Sequence, residues 1–372
     1  MSDKLDPDRR EFLRRLLALP VAGLALSLSG CVVPASTPAP TSTAPPAPPT
    51  LTASPAAPAP ATPAPTGTPA PTTRPTGTAT ATSRPTNPPL PATATQPAKT
   101  QAAYLAVVHG KGPGPAELTK RAIAAVGGIE RYVKQGADVI VKPNICNAYH
   151  GPEYASTTNP DVVAAIVALC LGAGAKRVRV MDFPFAGTAQ DAYTTSGIAQ
   201  AVEAAGGQME LMNSLKYRAV EIPNAQALAK TEIYADILDA DTVINVPIAK
   251  QHSAATLTLG LKNLMGVVDV REAMHAAGLD QSIAELATVV KPQLTVIDAI
   301  RILVANGPTG GDLNDVREMD TIIASADVVA ADAYAATLFG MTGADIGYIA
   351  LAARLGLGKM DLKSIKIDEI NA

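Results

Sequence analysis

The chain has 372 residues, with 30 Lys and Arg against 33 Asp and Glu, a formal charge of −3 and only 3 cysteines. Past position 100 there are 22 basic and 29 acidic residues, which leaves that region at a formal charge of −7. An acidic balance with no basic stripe interleaved with aromatics excludes a nucleic-acid partner, and three cysteines exclude a disulfide framework.

In chain order, the first predicted element is an address. In "DRREFLRRLLALPVAGLALSLSGC", Asp8 to Cys31, the pair Arg9–Arg10 followed by Phe12 and Leu13 resembles a bacterial twin-arginine signal. Leu16 to Leu28 is apolar but short for a membrane span. "LSGC" resembles a lipobox, in which a small residue before Cys permits lipidation and cleavage. The sequence therefore predicts a signal peptide over 1–31 and an extracytoplasmic protein anchored to the bacterial membrane by lipidated Cys31. Residues 32–100 hold 20 of the 32 prolines, with abundant Thr, Ala and Ser. Such a tract cannot bury apolar surface, so an extended, disordered stalk is expected.

Residues 101–372 read as the folded domain. Short Val/Ile-rich runs, "YLAVVHG", "ADVIVKPN", "RVRVMD", "DTVINVP" and "QLTVIDAI", alternate with helical patterns. The best marked of these is "NPDVVAAIVALCLGAGA", with Asn159 as N-cap and Pro160 at the first helical position. Runs without clean apolar–polar alternation predict strands covered on both faces. The fold class expected is α/β: a doubly wound, mainly parallel sheet flanked by helices, long enough for two lobes around a cleft.

In such sheets ligands bind at the carboxyl ends of strands. Those ends carry Lys142 and Asn144, Asp182, Lys250 and His252, and Asp298 with Arg301. "INVPIAKQHSAATLTLGLKNLMG", Ile244 to Gly266, adds Lys262 and Asn263 on a following helix.

At these residues the chain resembles the family catalogued as domain of unknown function 362. The matching segments are "KPN" from Lys142, "TTNPDVVAAIV" from Thr157, "INVPIAKQH" from Ile244 and "LTLGLKNLMG" from Leu257. His275, "LTVIDAI" from Leu294 and "ASADVVAADAYAATLFG" from Ala324 continue the match. The resemblance implies no particular reaction. Some members carry ferredoxin-like iron–sulfur modules; Cys31, Cys146 and Cys170 form no C-x2-C cluster, so no iron–sulfur cluster is expected.

The candidate catalytic groups are His252 as proton carrier with Lys250 and Lys142, and the candidate substrate-binding groups are Asn144, Lys262, Asn263 and His275. Three lysines at strand ends of an acidic domain predict a pocket for a small anionic molecule bearing carboxylate or phosphate, and a desolvated lysine there can serve as base or nucleophile. A divalent metal, with Asp298 and Asp332 as oxygen ligands, stays open as a cofactor. No Gly-x-Ser-x-Gly elbow and no dinucleotide fingerprint is present, so proton transfer of an isomerase or lyase type fits best. A non-catalytic solute- or metal-binding lipoprotein is the alternative, and a redox accessory protein a weaker one.

Overall fold

The computed structural model describes residues 104–372, so the expectations for the signal peptide, Cys31 and the stalk lie outside the described residues. The order begins with β1 (Leu105–His109), α1 (Pro115–Ala125), β2 (Asp138–Pro143), α2 (Pro160–Gly172), β3 (Arg177–Val180), α3 (Ala189–Thr195), α4 (Ile198–Ala204) and β4 (Gln208–Met209). A hairpin of β5 (Tyr217–Glu221) and β6 (Lys230–Tyr234) leads to α5 (Ala235–Asp239), β7 (Thr242–Val246), β8 (Ile248–His252), β9 (Thr256–Thr258) and the one-turn α6 (Gly260–Asn263). The chain ends with α7 (Arg271–Leu286), β10 (Leu294–Leu303), β11 (Val316–Ser325), α8 (Val328–Thr337), α9 (Gly347–Arg354) and β12 (Ile367–Asn371).

Helix starts follow the local signals. The Asn159 side chain accepts from the Asp161 amide at 2.9 Å, with Pro160 filling a position whose amide needs no partner. Asp327 caps α8 in the same way, accepting from the Ala330 amide at 3.0 Å.

One ten-stranded sheet runs β12-β1-β11-β10-β7-β2-β3-β4, with β8 and β9 attached beside β10. Its centre, from β10 through β7, β2 and β3 to β4, is parallel. β11 is antiparallel to both of its neighbours, β10 and β1. The expected α/β architecture is therefore present, built on one continuous ten-stranded sheet in place of two lobes, with the β5–β6 hairpin forming a separate two-stranded sheet. The ten-residue β11 joins the centre of the sheet to β1, so the last third of the chain extends the first sheet.

Both faces are covered. Leu105 and Val107 enter one core while Ala106 and Val108 enter the other; Ile140 and its neighbours Val139 and Val141 divide likewise. Helices α1, α2 and α4 pack on the second face, and α7, α8 and α9 on the first. A strand buried on both sides gives a polar residue a place only where a buried partner meets it, which explains the long apolar runs.

The strand order reverses between β2 and β7. From β2 the chain crosses through α2 to β3 on one side; from β7 it passes through α6 and α7 to β10 on the other. Pairing of β2 with β7 ends at Pro143 opposite Val246. Pro247 then separates β7 from β8, which continues alongside β10 with an irregular register, Asp298 opposite Ile248 and Leu303 opposite Lys250. The two chains leaving β2 and β7 thus part, and a crevice opens where they do.

Candidate functional site

A cavity of about 400 Å³ fills that crevice, a size suited to a small molecule. Asn144 and Cys146 reach it from the loop after β2, Lys250 and His252 from β8, and Lys262 and Asn263 from α6. His275 joins them from α7 at the mouth. Six of the seven substrate and catalytic positions expected from the sequence thus line one cavity.

Lys142 is the exception. It is only 1 % exposed and lies behind the wall, its ammonium donating to Asp182 Oδ1 at 2.6 Å, to the Pro143 carbonyl at 2.8 Å and to Asn263 Oδ1 at 3.1 Å. Burial pushes its pKa below the ordinary lysine range, while Asp182 pulls the other way. The other Asp182 oxygen accepts from the Ile145 amide at 2.6 Å. With every donor and acceptor matched, this pair braces the pocket from behind its wall; breaking it would strand a buried charge at a cost of about 3–5 kcal/mol. Gly266 packs directly on it: a Cβ there would stand 2.2 Å from Asp182 Oδ1 and 2.6 Å from Lys142 Nζ.

Asn263 is the staple between α6 and the strand ends. Its Nδ2 donates to Asn245 Oδ1 at 2.9 Å, and its Oδ1 accepts from Lys142 and from Asn144 Nδ2, the latter at 3.2 Å. The short helix that carries it is anchored by Asp332 on α8, whose two oxygens accept from the Gly260 amide at 2.7 Å and the Leu261 amide at 2.8 Å. Burial pushes Asp332 up to about 8 even though both amides favour its charged form. Asp298 is likewise spent on backbone, accepting from the amides of Asn159 at 2.7 Å and Ile300 at 3.0 Å, with burial pushing it up to about 6. Neither aspartate lines the cavity, so their expected part as metal ligands gives way to structural anchoring. Among the described residues no group of three or more His, Cys, Asp or Glu could hold a metal ion.

His252 also takes a part other than the expected one. Its Nδ1 accepts from the amides of Ala254 at 3.0 Å and Ala255 at 3.2 Å, in the tight turn between β8 and β9. An acceptor Nδ1 leaves the single proton of the neutral ring on Nε2. Burial, then the charges of Lys262 and Lys250, push its pKa down to about 3. The ring so held offers an Nε2–H as a hydrogen-bond donor.

The lysines differ sharply. Lys250, 1 % exposed, donates to the Ser156 carbonyl at 2.6 Å and the Pro308 carbonyl at 3.0 Å, and burial pushes its pKa down. Lys262, 8 % exposed, meets no carboxylate and no carbonyl; its hydrogen-bond partner is the soft Met265 Sδ at 3.5 Å. Burial first, and the neighbouring Lys250 second, push it down to about 8. An amine with that pKa holds substantial fractions of both protonation states near neutrality, as a proton-transfer group must.

Thr258 and Arg271, both lining the cavity, escaped the sequence reading, whereas the "NGPTGGD" loop was expected beside the cleft. Thr258 is 4 % exposed, and its hydroxyl, like Asn144 Oδ1, is buried without a hydrogen-bond partner. Its place on β9, opposite Lys250 of β8, was the available signal. Arg271, from α7, donates to the carbonyls of Phe183 at 3.0 Å and Pro184 at 3.1 Å and lies 4.7 Å from the Phe183 ring centroid. Pro308, in the glycine-rich "NGPTGGD" stretch, accepts from both Lys250 and the Cys146 thiol. Cys146 and Cys170 are both free, and burial alone pushes the core thiol of Cys170 up to about 12.

The cavity thus holds three cations, Lys250, Lys262 and Arg271, against Glu272 at its mouth, since Asp182 is matched by Lys142. Inside a domain of formal charge −7, that surplus suits an anion.

Thylakoid-associated protein sll1697 of Synechocystis sp. is 32% identical over 246 residues, spanning 62% of this chain and 72% of that protein. Two solved structures overlap in part. The lactate racemase apoprotein of Thermoanaerobacterium thermosaccharolyticum has a TM-score of 0.40 at 13% identity, covering 59% of this chain and 54% of that one. A Thermotoga maritima protein has a TM-score of 0.39 at 14% identity, covering 61% and 58%. The chain spans little more than half of each of these two structures, and overlaps of that size leave the chemistry open. The family described as Domain of unknown function (DUF362) matches residues 139–337, more than half of the chain and every residue that lines the cavity, and the protein belongs to it.

Proposed function

We propose that the protein is an enzyme that binds a small anionic molecule in the cavity and moves a proton on it, chemistry of an isomerase or lyase type. The observation that carries the reading is Lys262: a nearly buried amine with no anionic partner, beside a second buried cation, in a cavity of about 400 Å³. Lys250 holds the acid group, the Lys262 amine accepts the proton, and the Nε2–H of His252 hydrogen-bonds oxygen on which charge develops. The Thr258 hydroxyl and Asn144 Oδ1, otherwise without partners, complete the ligand's hydrogen bonds.

The test is isotopic. Small carboxylates and phosphate esters with a C–H beside a carbonyl or carboxylate are incubated in D2O with the full chain, and proton loss is followed by NMR. Deuterium entering at least one of them, and failing to enter with Lys262→Met, is expected. Ligands that bind tightly but exchange nothing would favour the non-catalytic binding protein instead.

The same reading places the protein outside the cytoplasm, held at the membrane through Cys31, as "LSGC" and the arginine pair suggest. Cys31→Ala is expected to move the protein from the membrane to the soluble fraction; unchanged fractionation would sink the lipid anchor.

A further inference from the structure

The cavity has a second character besides its charge. Lys250, Lys262 and the His252 ring sit within it, each no more than 8 % exposed, so the acid-binding end is the deep end. Ile145 and Met265 line the buried part of the cavity beside them, and Phe183 and Phe185 line it at its exposed rim. Phe185 is 67 % exposed, although a phenyl ring standing in water forgoes the burial that stabilises most of its kind. Nor is the ledge that carries it loose. Arg271 grips the carbonyls of Phe183 and Pro184, and the Phe185 amide donates to the Cys146 carbonyl at 2.8 Å. A costly exposed aromatic held firmly at a pocket mouth awaits apolar surface.

Resting on the reading that this cavity takes an anion, we propose that its substrate is amphiphilic: one acid head at the lysines and one unbranched or aryl apolar arm lying along Met265 and Phe183 to Phe185. A small, fully polar acid would leave that ledge wet. A diacid would bring a second charge to the mouth, against the Phe185 ring and Glu272, where Arg271 already has two nitrogens spent on the carbonyls of Phe183 and Pro184.

Calorimetric titration of the full chain with acetate, butyrate, hexanoate, octanoate and phenylacetate tests this, with adipate and hexyl phosphate beside hexanoate. Affinity is expected to rise about fourfold for each added methylene until the cavity is full, the gain that burying a methylene gives. Adipate is expected to bind at least tenfold more weakly than hexanoate, and hexyl phosphate identifies which acid head fits better. Phe185→Ala, a change at an exposed ring, is expected to flatten the dependence on chain length and leave acetate binding unchanged. Acetate binding as tightly as octanoate, or adipate more tightly than hexanoate, would overturn the amphiphile and leave the anion site standing. Binding by none of the acids would overturn both.

Discussion

At the scale of single residues, the site turns on how three lysines of the same chemistry are made different. Lys142 is matched by a carboxylate, Lys250 is held by two carbonyls, and Lys262 is left with a thioether. The last arrangement has a thermodynamic signature. The ordinary lysine value is 10.5 and that of folded Lys262 is about 8, so below pH 8 both folded and unfolded chains carry the proton and the fold bears the whole burial cost. Between 8 and 10.5 the unfolded chain binds more protons, and stability rises with pH. Lys262→Met is therefore expected to stabilise the protein at pH 7, by on the order of 3 kcal/mol, with the advantage gone by pH 10.5. Urea midpoints at the two pH values check this, and a variant weaker at pH 7 would mean that the ammonium has a partner. Catalysis has the same sign: the free amine increases through pH 8, so exchange should speed up there while anion affinity falls. His252 should stay silent, its Nε2–H tautomer visible by nitrogen NMR without titration between pH 5 and 8. An imidazole that titrates near 6.5 would remove the fixed donor.

Strand-end residues were legible in the sequence because apolar runs stop where the sheet stops, which picked out Asn144, Lys250 and His252, with Lys262 and Asn263 on the helix that follows. Their division of labour was not. It depends on partners 94 residues away for Lys250 and 40 for Lys142, and no local pattern encodes such meetings.

Among elements, the one-turn α6 is the most dependent on others. Four residues cannot hold a helix alone, and this one is tied at its start by Asp332 and at its end by Asn263. Asp332→Ala would leave two buried amides unpaired and is expected to cost about 2 kcal/mol or more by urea denaturation. A loss below about 0.5 kcal/mol, the ordinary surface effect, would mean that α6 stands without the tie. The turn after it is equally constrained, and Gly266→Ala is expected to lose most of the folded protein by driving a methyl into the Lys142–Asp182 pair. Helix α7 is broken at Gly278, whose φ of 108° and ψ of 99° are not helical. The segment before the break carries Arg271 and His275, and of its residues only Met274 is buried. The run before this glycine, rich in polar and small residues, carries no apolar period by which the sequence could mark it as helix.

On the scale of the whole molecule, the fold was legible because a sheet buried on both faces writes itself as apolar runs. The antiparallel β11 was not legible, since strand direction leaves no mark on composition. The single sheet predicts a gradient of opening. Amides of β2, β7 and β10 should exchange slowest and those of residues 271–277 fastest, as hydrogen-exchange mass spectrometry can report. Uniform protection across α7 would mean that Gly278 does not divide it.

That break at Gly278 has a bearing on how the protein could diversify. The groups that would do chemistry are written into strand ends and α6, inside the core, where nearly every exchange is costly. The groups that face an incoming molecule are written into two short surface stretches, 183–185 and 270–277, the latter set off from the core half of its helix by one glycine. Selectivity and reactivity are therefore separately editable, and a family built on this plan can change what it admits while keeping what it does.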